Sequence, residues 1–90
     1  MEATYTVVLM RENDGGYSVS VPALKGCHTQ GETLAEALLM AEEAIRLYVE
    51  VLEEDAKPIP PDEPNVSVNM REATEALVYR LTVREPTAVA

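Results

Sequence analysis

Residues 15–38 read GGYSVSVPALKGCHTQGETLAEAL. The first part alternates. Tyr17, Val19 and Val21 fall on one side and Ser18 and Ser20 on the other, the period-two pattern of a half-buried strand. Pro22 has no N–H to give to a ladder and closes that strand. Gly26 and Gly31 bracket Cys27–Gln30, which leaves room for a short third strand. Thr33 then opens a helix. Thr33 at the cap with Glu36 three residues later is a capping box. Strand therefore gives way to helix inside one short stretch, and the fold mixes both.

Upstream, TYTVVLM at 4–10 alternates again, with Tyr5, Val7 and Leu9 on one face and Thr4, Thr6, Val8 and Met10 on the other. Between the two strands lies ENDGG, where Gly15 and Gly16 permit the positive φ of a tight antiparallel connection. The first two strands should form a hairpin.

Downstream, Leu34, Leu38, Ala41, Ile45, Tyr48 and Leu52 recur at spacings of four and three. They form one helical face to about Glu54, roughly 30 Å long. Ala37, Met40, Ala44, Leu47 and Val51 form a second apolar stripe beside it, more than one sheet face needs. Either the following chain folds back over this stripe or another subunit covers it, and Met40, Leu47 and Val51 are the candidate oligomer interface. KPIPPDEP at 57–64 forbids continuation of the helix and favours an extended connector. Leu77, Tyr79, Leu81 and Val83 then alternate with Val78, Arg80, Thr82 and Arg84 in a last strand. VSVNM at 66–70 reads equally as strand or loop.

The expected architecture is α/β (α+β) with two layers. A three- to four-stranded mixed sheet carries one long helix on one face, in the order β-β-(β)-α-β, and its other face is open. A right-handed crossover would set the last strand parallel to a neighbour. Residues 1–90 are expected to make one domain, with a core over 3–55, a proline-rich connector over 56–65 and the final strand over 77–84.

A chain of 90 residues buries only roughly 60–65% of the surface its unfolded form exposes. The core must be aliphatic, because the aromatics are four tyrosines. Net charge is −9, and between Glu32 and Glu63 ten Asp or Glu stand against Arg46 and Lys57, a local sum of −8. Neutralising phosphates takes Lys and Arg, so direct nucleic-acid binding and an anionic membrane surface are disfavoured, and a basic partner fits better. One cysteine makes no internal disulfide, and the start shows no signal peptide. No apolar run approaches the roughly 18 residues that span a membrane. Cytoplasmic localisation is expected.

Cys27 and His28 are the only cysteine and histidine. Neighbours in a strand point to opposite faces, so thiol and imidazole need not meet. A tetrahedral zinc site needs about four ligands, and no second Cys or His exists. The expected reading is a buried thiol beside a turn-side imidazole. Glu36, Glu43 and Glu50 recur every seven residues along the helix. They lie about 10 Å apart, too far to share one ion, but they could meet a basic surface. Glu42–Arg46 and Arg46–Glu50 are helical i, i+4 pairs. No phosphate loop, nucleophile elbow or HExxH motif occurs. No enzyme activity, cofactor or metal site is expected.

Taken together, DGGYSVSVPALKGCHTQGETLAEAL, AIRLYVEVL and KPIPP resemble the HicB-like antitoxin family from about Tyr5 to Pro61. The specific part is GGY-x-V-x-VP-x-L-x-GC-x-T-x-G-x-T-x-x-EA at Gly15–Ala37. The resemblance implies a partly degenerated ribonuclease H-like fold without its nuclease chemistry. It also implies pairing with HicA, a small basic toxin that cleaves mRNA and whose active surface the antitoxin masks. Thr4, Thr6 and Val8 stand where such a nuclease would need a metal-binding aspartate. Many members add a C-terminal helix-turn-helix or ribbon-helix-helix domain. After Pro61 about thirty residues remain, read as loop plus strand, so a stand-alone form is expected.

The leading reading is an antitoxin that occludes a basic HicA-type toxin, with Glu36, Glu43 and Glu50 as partner-binding residues. Two alternatives stand beside it: an oligomeric protein-interaction module without a toxin, and a divergent metal-dependent nuclease.

Overall fold

A computed structural model describes residues 2–68 and 73–84. Strands β1 (Glu2–Glu12), β2 (Tyr17–Ser20) and β3 (His28–Gly31) precede helix α1 (Leu34–Glu54), and β4 (Ala73–Arg84) follows. The sheet order is β3-β2-β1-β4.

The hairpin forms where the glycines predict it. Gly15 adopts φ +98°. Its N–H donates to Glu12 O, while Glu12 N–H donates to Gly16 O. Val8–Arg11 then pair with Ser20–Tyr17. A second turn runs from Leu24 to Cys27, closed by Cys27 N–H on Leu24 O at 2.9 Å. Gly26 sits in it at φ +80°, a conformation that a side chain would strain. The short third strand expected around Cys27–Gln30 follows as β3.

The last strand differs from expectation. It runs antiparallel to β1 from Glu2↔Arg84 to Glu12↔Ala73, so the sheet is antiparallel throughout and not mixed. The reason is the length of the connector. The chain passes Thr6 at Asp62 and enters β4 opposite Glu12. It has therefore climbed back along β1 before β4 starts, and β4 descends. β4 also begins four residues earlier than the expected 77, because β1 offers an unpaired edge that far. Residues 66–68 lie outside any strand; residues 69 and 70 fall outside the described residues.

Tyr5, Val7, Leu9, Val19, Val21 and Val83 build the sheet side of the core, joined by Leu24 and Cys27. From α1 the fully buried residues are Ala37, Ala41, Ile45 and Val49. This is a single i, i+4 row, shifted from the expected face. Ala41 and Ile45 hold their expected places, and Leu34, Leu38 and Tyr48 pack at its margin. Ala37 was expected on the second stripe and Val49 on neither. Gly31 explains the shift. A Cβ built there would lie 2.5 Å from Ala37 N. β3 thus touches the helix backbone, and the small residues on that side become the seam.

The outer sheet face is not open along its length. Thr6 and Val8 point there and are 2% and 5% exposed. Asp62 from the connector lies over Thr6, as described below. Among the described residues no helix is long and apolar enough to cross a membrane.

Candidate partner-binding surface

The helix begins as its sequence dictates. Thr33 Oγ1 accepts Glu36 N–H at 3.1 Å, and Glu36 Oε1 accepts Glu32 N–H at 3.3 Å. The carboxylate thus satisfies the amide before the cap. At the other end Ala56 takes φ +54°. Lys57 N–H reaches Leu52 O and Ala56 N–H reaches Glu53 O, the two hydrogen bonds of a Schellman closure. Proline follows at 58, so the helix stops there.

Between these ends α1 carries six carboxylates (Glu36, Glu42, Glu43, Glu50, Glu53, Glu54) and one cation, Arg46, a net charge of −5. Residues seven apart differ by only about 20° around a helix of 3.6 residues per turn. Glu36, Glu43 and Glu50 therefore form one ridge pointing away from the buried row. Glu36 and Glu43 are exposed and Glu50 is half-exposed. Leu39, 66% exposed, borders the ridge on one side, and Leu47 and Val51, both 54% exposed, border it on the other.

The structure divides the expected oligomer stripe. Leu47 and Val51 open into a groove shared with Cys27, His28 and Tyr48. Met40 is half-buried and lines a different groove with Glu12, Asp14, Glu32 and Glu36. The connector does not cover Leu47 or Val51. It runs instead to β1, where Pro60 O accepts the Tyr5 hydroxyl at 2.6 Å. Leu39 was missed in the sequence, although its place four residues before Glu43 and eight before Leu47 marks the same face.

Arg46 pairs with Glu42 at 3.0 Å and donates to Arg84 O at 3.3 Å. It turns towards β4, and no ion pair to Glu50 forms. The ridge therefore keeps its negative charge unneutralised along Glu43 and Glu50.

Cys27 and His28 separate as alternation predicts. Cys27 is buried and His28 exposed, and burial raises the Cys27 thiol above its ordinary pKa. The thiol stays protonated at neutral pH and serves as core. Among the described residues no three His, Cys, Asp or Glu side chains converge on a point that could hold a metal ion.

Acidic groups set among exposed aliphatics on one rigid helix are suited to binding a basic protein surface. Comparison with known proteins agrees with a binding role. The family model described as "HicB_like antitoxin of bacterial toxin-antitoxin system" matches residues 5–84. The chain belongs to the HicB-like antitoxin family. A UPF0150 protein of Thermoplasma acidophilum is 52% identical over 58 residues, 64% of this chain and 84% of that protein. A UPF0150 protein of Synechocystis is 49% identical over 59 residues, 66% of this chain and 75% of that protein. Among solved structures, the N-terminal domain of the Burkholderia pseudomallei antitoxin HicB superposes with a TM-score of 0.66 at 27% identity, covering 94% of this chain and all of that one. A chain of a toxin–antitoxin complex from Streptococcus pneumoniae superposes with a TM-score of 0.76 at 23% identity, covering 93% of this chain and 70% of that one, which shows the shared fold.

Proposed function

We propose that this HicB-like protein neutralises a small basic HicA-type toxin in the cytoplasm by laying α1 across the toxin's RNA-binding surface. It acts by occlusion, as a binding protein and not as an enzyme. The observation that carries this reading is the ridge of Glu36, Glu43 and Glu50 flanked by exposed Leu39, Leu47 and Val51. A toxin surface that binds RNA must be rich in Lys and Arg. A row of carboxylates competes for those cations, and the flanking aliphatics supply the apolar contact that holds a complex once formed. Support also comes from the family, whose description is that of an antitoxin, and from the toxin–antitoxin complex among the similar folds.

A second copy of this chain could cover Leu47 and Val51 as well. Charge favours the toxin, because two helices of −5 would repel each other across such a contact while a basic partner would be attracted.

The test is titration of a HicA-type protein with the wild-type chain and with Leu39→Ala/Leu47→Ala/Val51→Ala. Circular dichroism would check the fold of both. Burying an aliphatic side chain contributes about 1.5–3 kcal/mol when complete, so the triple variant should bind at least tenfold more weakly. Wild-type affinity in the folded variant contradicts the proposed surface. The absence of binding by the wild-type chain contradicts the antitoxin reading.

A further inference from the structure

The sheet has two edges, and they differ. β3 is an edge of four residues, while β4 is an edge of twelve residues with no described strand beyond it. Along an antiparallel strand every second residue turns its N–H and C=O away from its partner. The outer side of β4 is therefore a long row of backbone donors and acceptors without a strand to pair with. Natural edges of this kind are blunted by shortness, lysine, proline or inward charge. Between Ala76 and Val83, β4 carries no lysine, proline or inward charge, and its one charged residue, Arg80, is drawn to Asp62 on the outer face.

The core side of β4 is also incompletely covered. Tyr5, Val7 and Leu9 on β1 are buried, but their β4 partners Leu81, Tyr79 and Leu77 are only part-buried. α1 packs tightly against β3 at Gly31 and, among the described residues, fully buries β4 only at Val83, so Leu77, Tyr79 and Leu81 extend past the helix. On the opposite face Val78 is 53% exposed.

Charge decides what fits here. β4 carries Glu75, Arg80 and Arg84; Arg80 pairs with Asp62 at 3.5 Å and Arg84 with Glu2 at 2.7 Å, so this edge is close to neutral within a chain of −9. A basic toxin gains nothing from this edge. A second copy of this acidic chain meets here a long edge that repels it far less than the α1 face of −5 does.

We propose that β4 pairs antiparallel with β4 of a second copy about a two-fold axis, joining two four-stranded sheets into one. The symmetry makes the contact self-complementary, and it uses up the one long edge among the described residues, so assembly closes at a dimer. Leu77, Tyr79 and Leu81 of each copy then cover their counterparts. Both α1 ridges remain on the outside. The inference is independent of the antitoxin reading, because it concerns the opposite end of the sheet.

Light scattering at about 100 µM should give twice the mass of one chain. Hydrogen exchange should show alternate β4 amides gaining protection as protein concentration rises. Val78→Lys/Thr82→Lys makes the outer row of β4 basic together with Arg80 and Arg84. In a pairing centred on Tyr79, positions 78 and 80 of the two copies then set like charges opposite one another, and this variant should be monomeric. Leu47→Glu/Val51→Glu on α1 should remain dimeric. A monomeric wild type overturns the proposal. So does a dimer that α1 substitution dissociates and in which β4 protection is independent of concentration. Should the β4 variant fail to fold, the wild-type exchange pattern alone decides.

Discussion

The backbone N–H and the hydroxyl of Thr6 both end on the carboxylate of Asp62, at 2.7 and 2.8 Å. β2 has already stopped at Ser20, opposite Val8, so Thr6 would otherwise face that side of the sheet with an unpaired amide. Asp62 supplies the missing acceptor and anchors the connector to β1. Arg80, the β4 partner of Thr6, approaches the same carboxylate at 3.5 Å. Asp62→Ala should cost about 1–3 kcal/mol, the usual cost of leaving buried polar groups unsatisfied. Urea unfolding at pH 7 measures it.

The same carboxylate sets a pH dependence. Burial pushes the Asp62 carboxyl upward, but the Thr6 amide and hydroxyl, the Glu63 amide and Arg80 outweigh it and hold the pKa below its ordinary value. A depressed folded pKa means that the unfolded chain binds the proton more tightly. The stability it contributes is present above the unfolded value of about 3.9 and is lost as pH falls through the folded one. The stability difference between wild type and Asp62→Asn should be constant from pH 6 to 8 and shrink towards pH 3. A difference that grows on acidification would contradict this sign.

Gly31 permits the closest contact between sheet and helix. A Cβ there would stand 2.5 Å from Ala37 N and 2.7 Å from Ala37 Cα. These are backbone atoms, which cannot swing aside. Gly31→Ala should destabilise by about 1–3 kcal/mol, as overpacking does, and thermal unfolding would show it. Gly16→Ala is the control, since its nearest neighbour would lie at an ordinary 3.5 Å.

Ala56 closes α1 in a left-handed conformation that glycine adopts without penalty. Ala56→Gly should stabilise the protein by about 1 kcal/mol. A drop in melting temperature would contradict the Schellman closure.

Much of this fold could be read from its residues. Alternation located β1, β2 and β4, the Gly15–Gly16 pair located the first turn, and Thr33 with Glu36 located the helix start. The direction of β4 could not be read. It depends on how far a proline-rich connector travels, and nothing in Lys57–Pro64 encodes Asp62 as its anchor. The buried row of α1 was displaced because Gly31 reads as a strand boundary, whereas its role is to admit the helix backbone. On the candidate surface the acidic ridge was legible from its seven-residue spacing. Leu39 was not, since it sits between Leu38 and Met40 and its exposure emerges only once Ala37, Ala41, Ile45 and Val49 are known to be the buried row.

Cys27 should behave as core and not as a nucleophile. Its thiol is buried with a raised pKa, so alkylation by iodoacetamide at pH 7.5 should be far slower in the folded protein than in urea. Cys27→Ala and His28→Ala should keep toxin binding when folded. Equal labelling rates in the two states would contradict the burial.

The central claim is that the α1 ridge meets a basic toxin, and stopped-flow mixing with a HicA-type protein tests it most directly. Gln retains the capping role at position 36, so Glu36→Gln/Glu43→Gln/Glu50→Gln removes charge while sparing the helix start. Screening acts over about 8–10 Å near physiological salt, so wild-type association should slow as salt rises. The triple variant should associate more slowly at low salt, with a flatter salt dependence and a dissociation rate changed less. An association rate for the triple variant equal to wild type at every salt concentration would contradict the account.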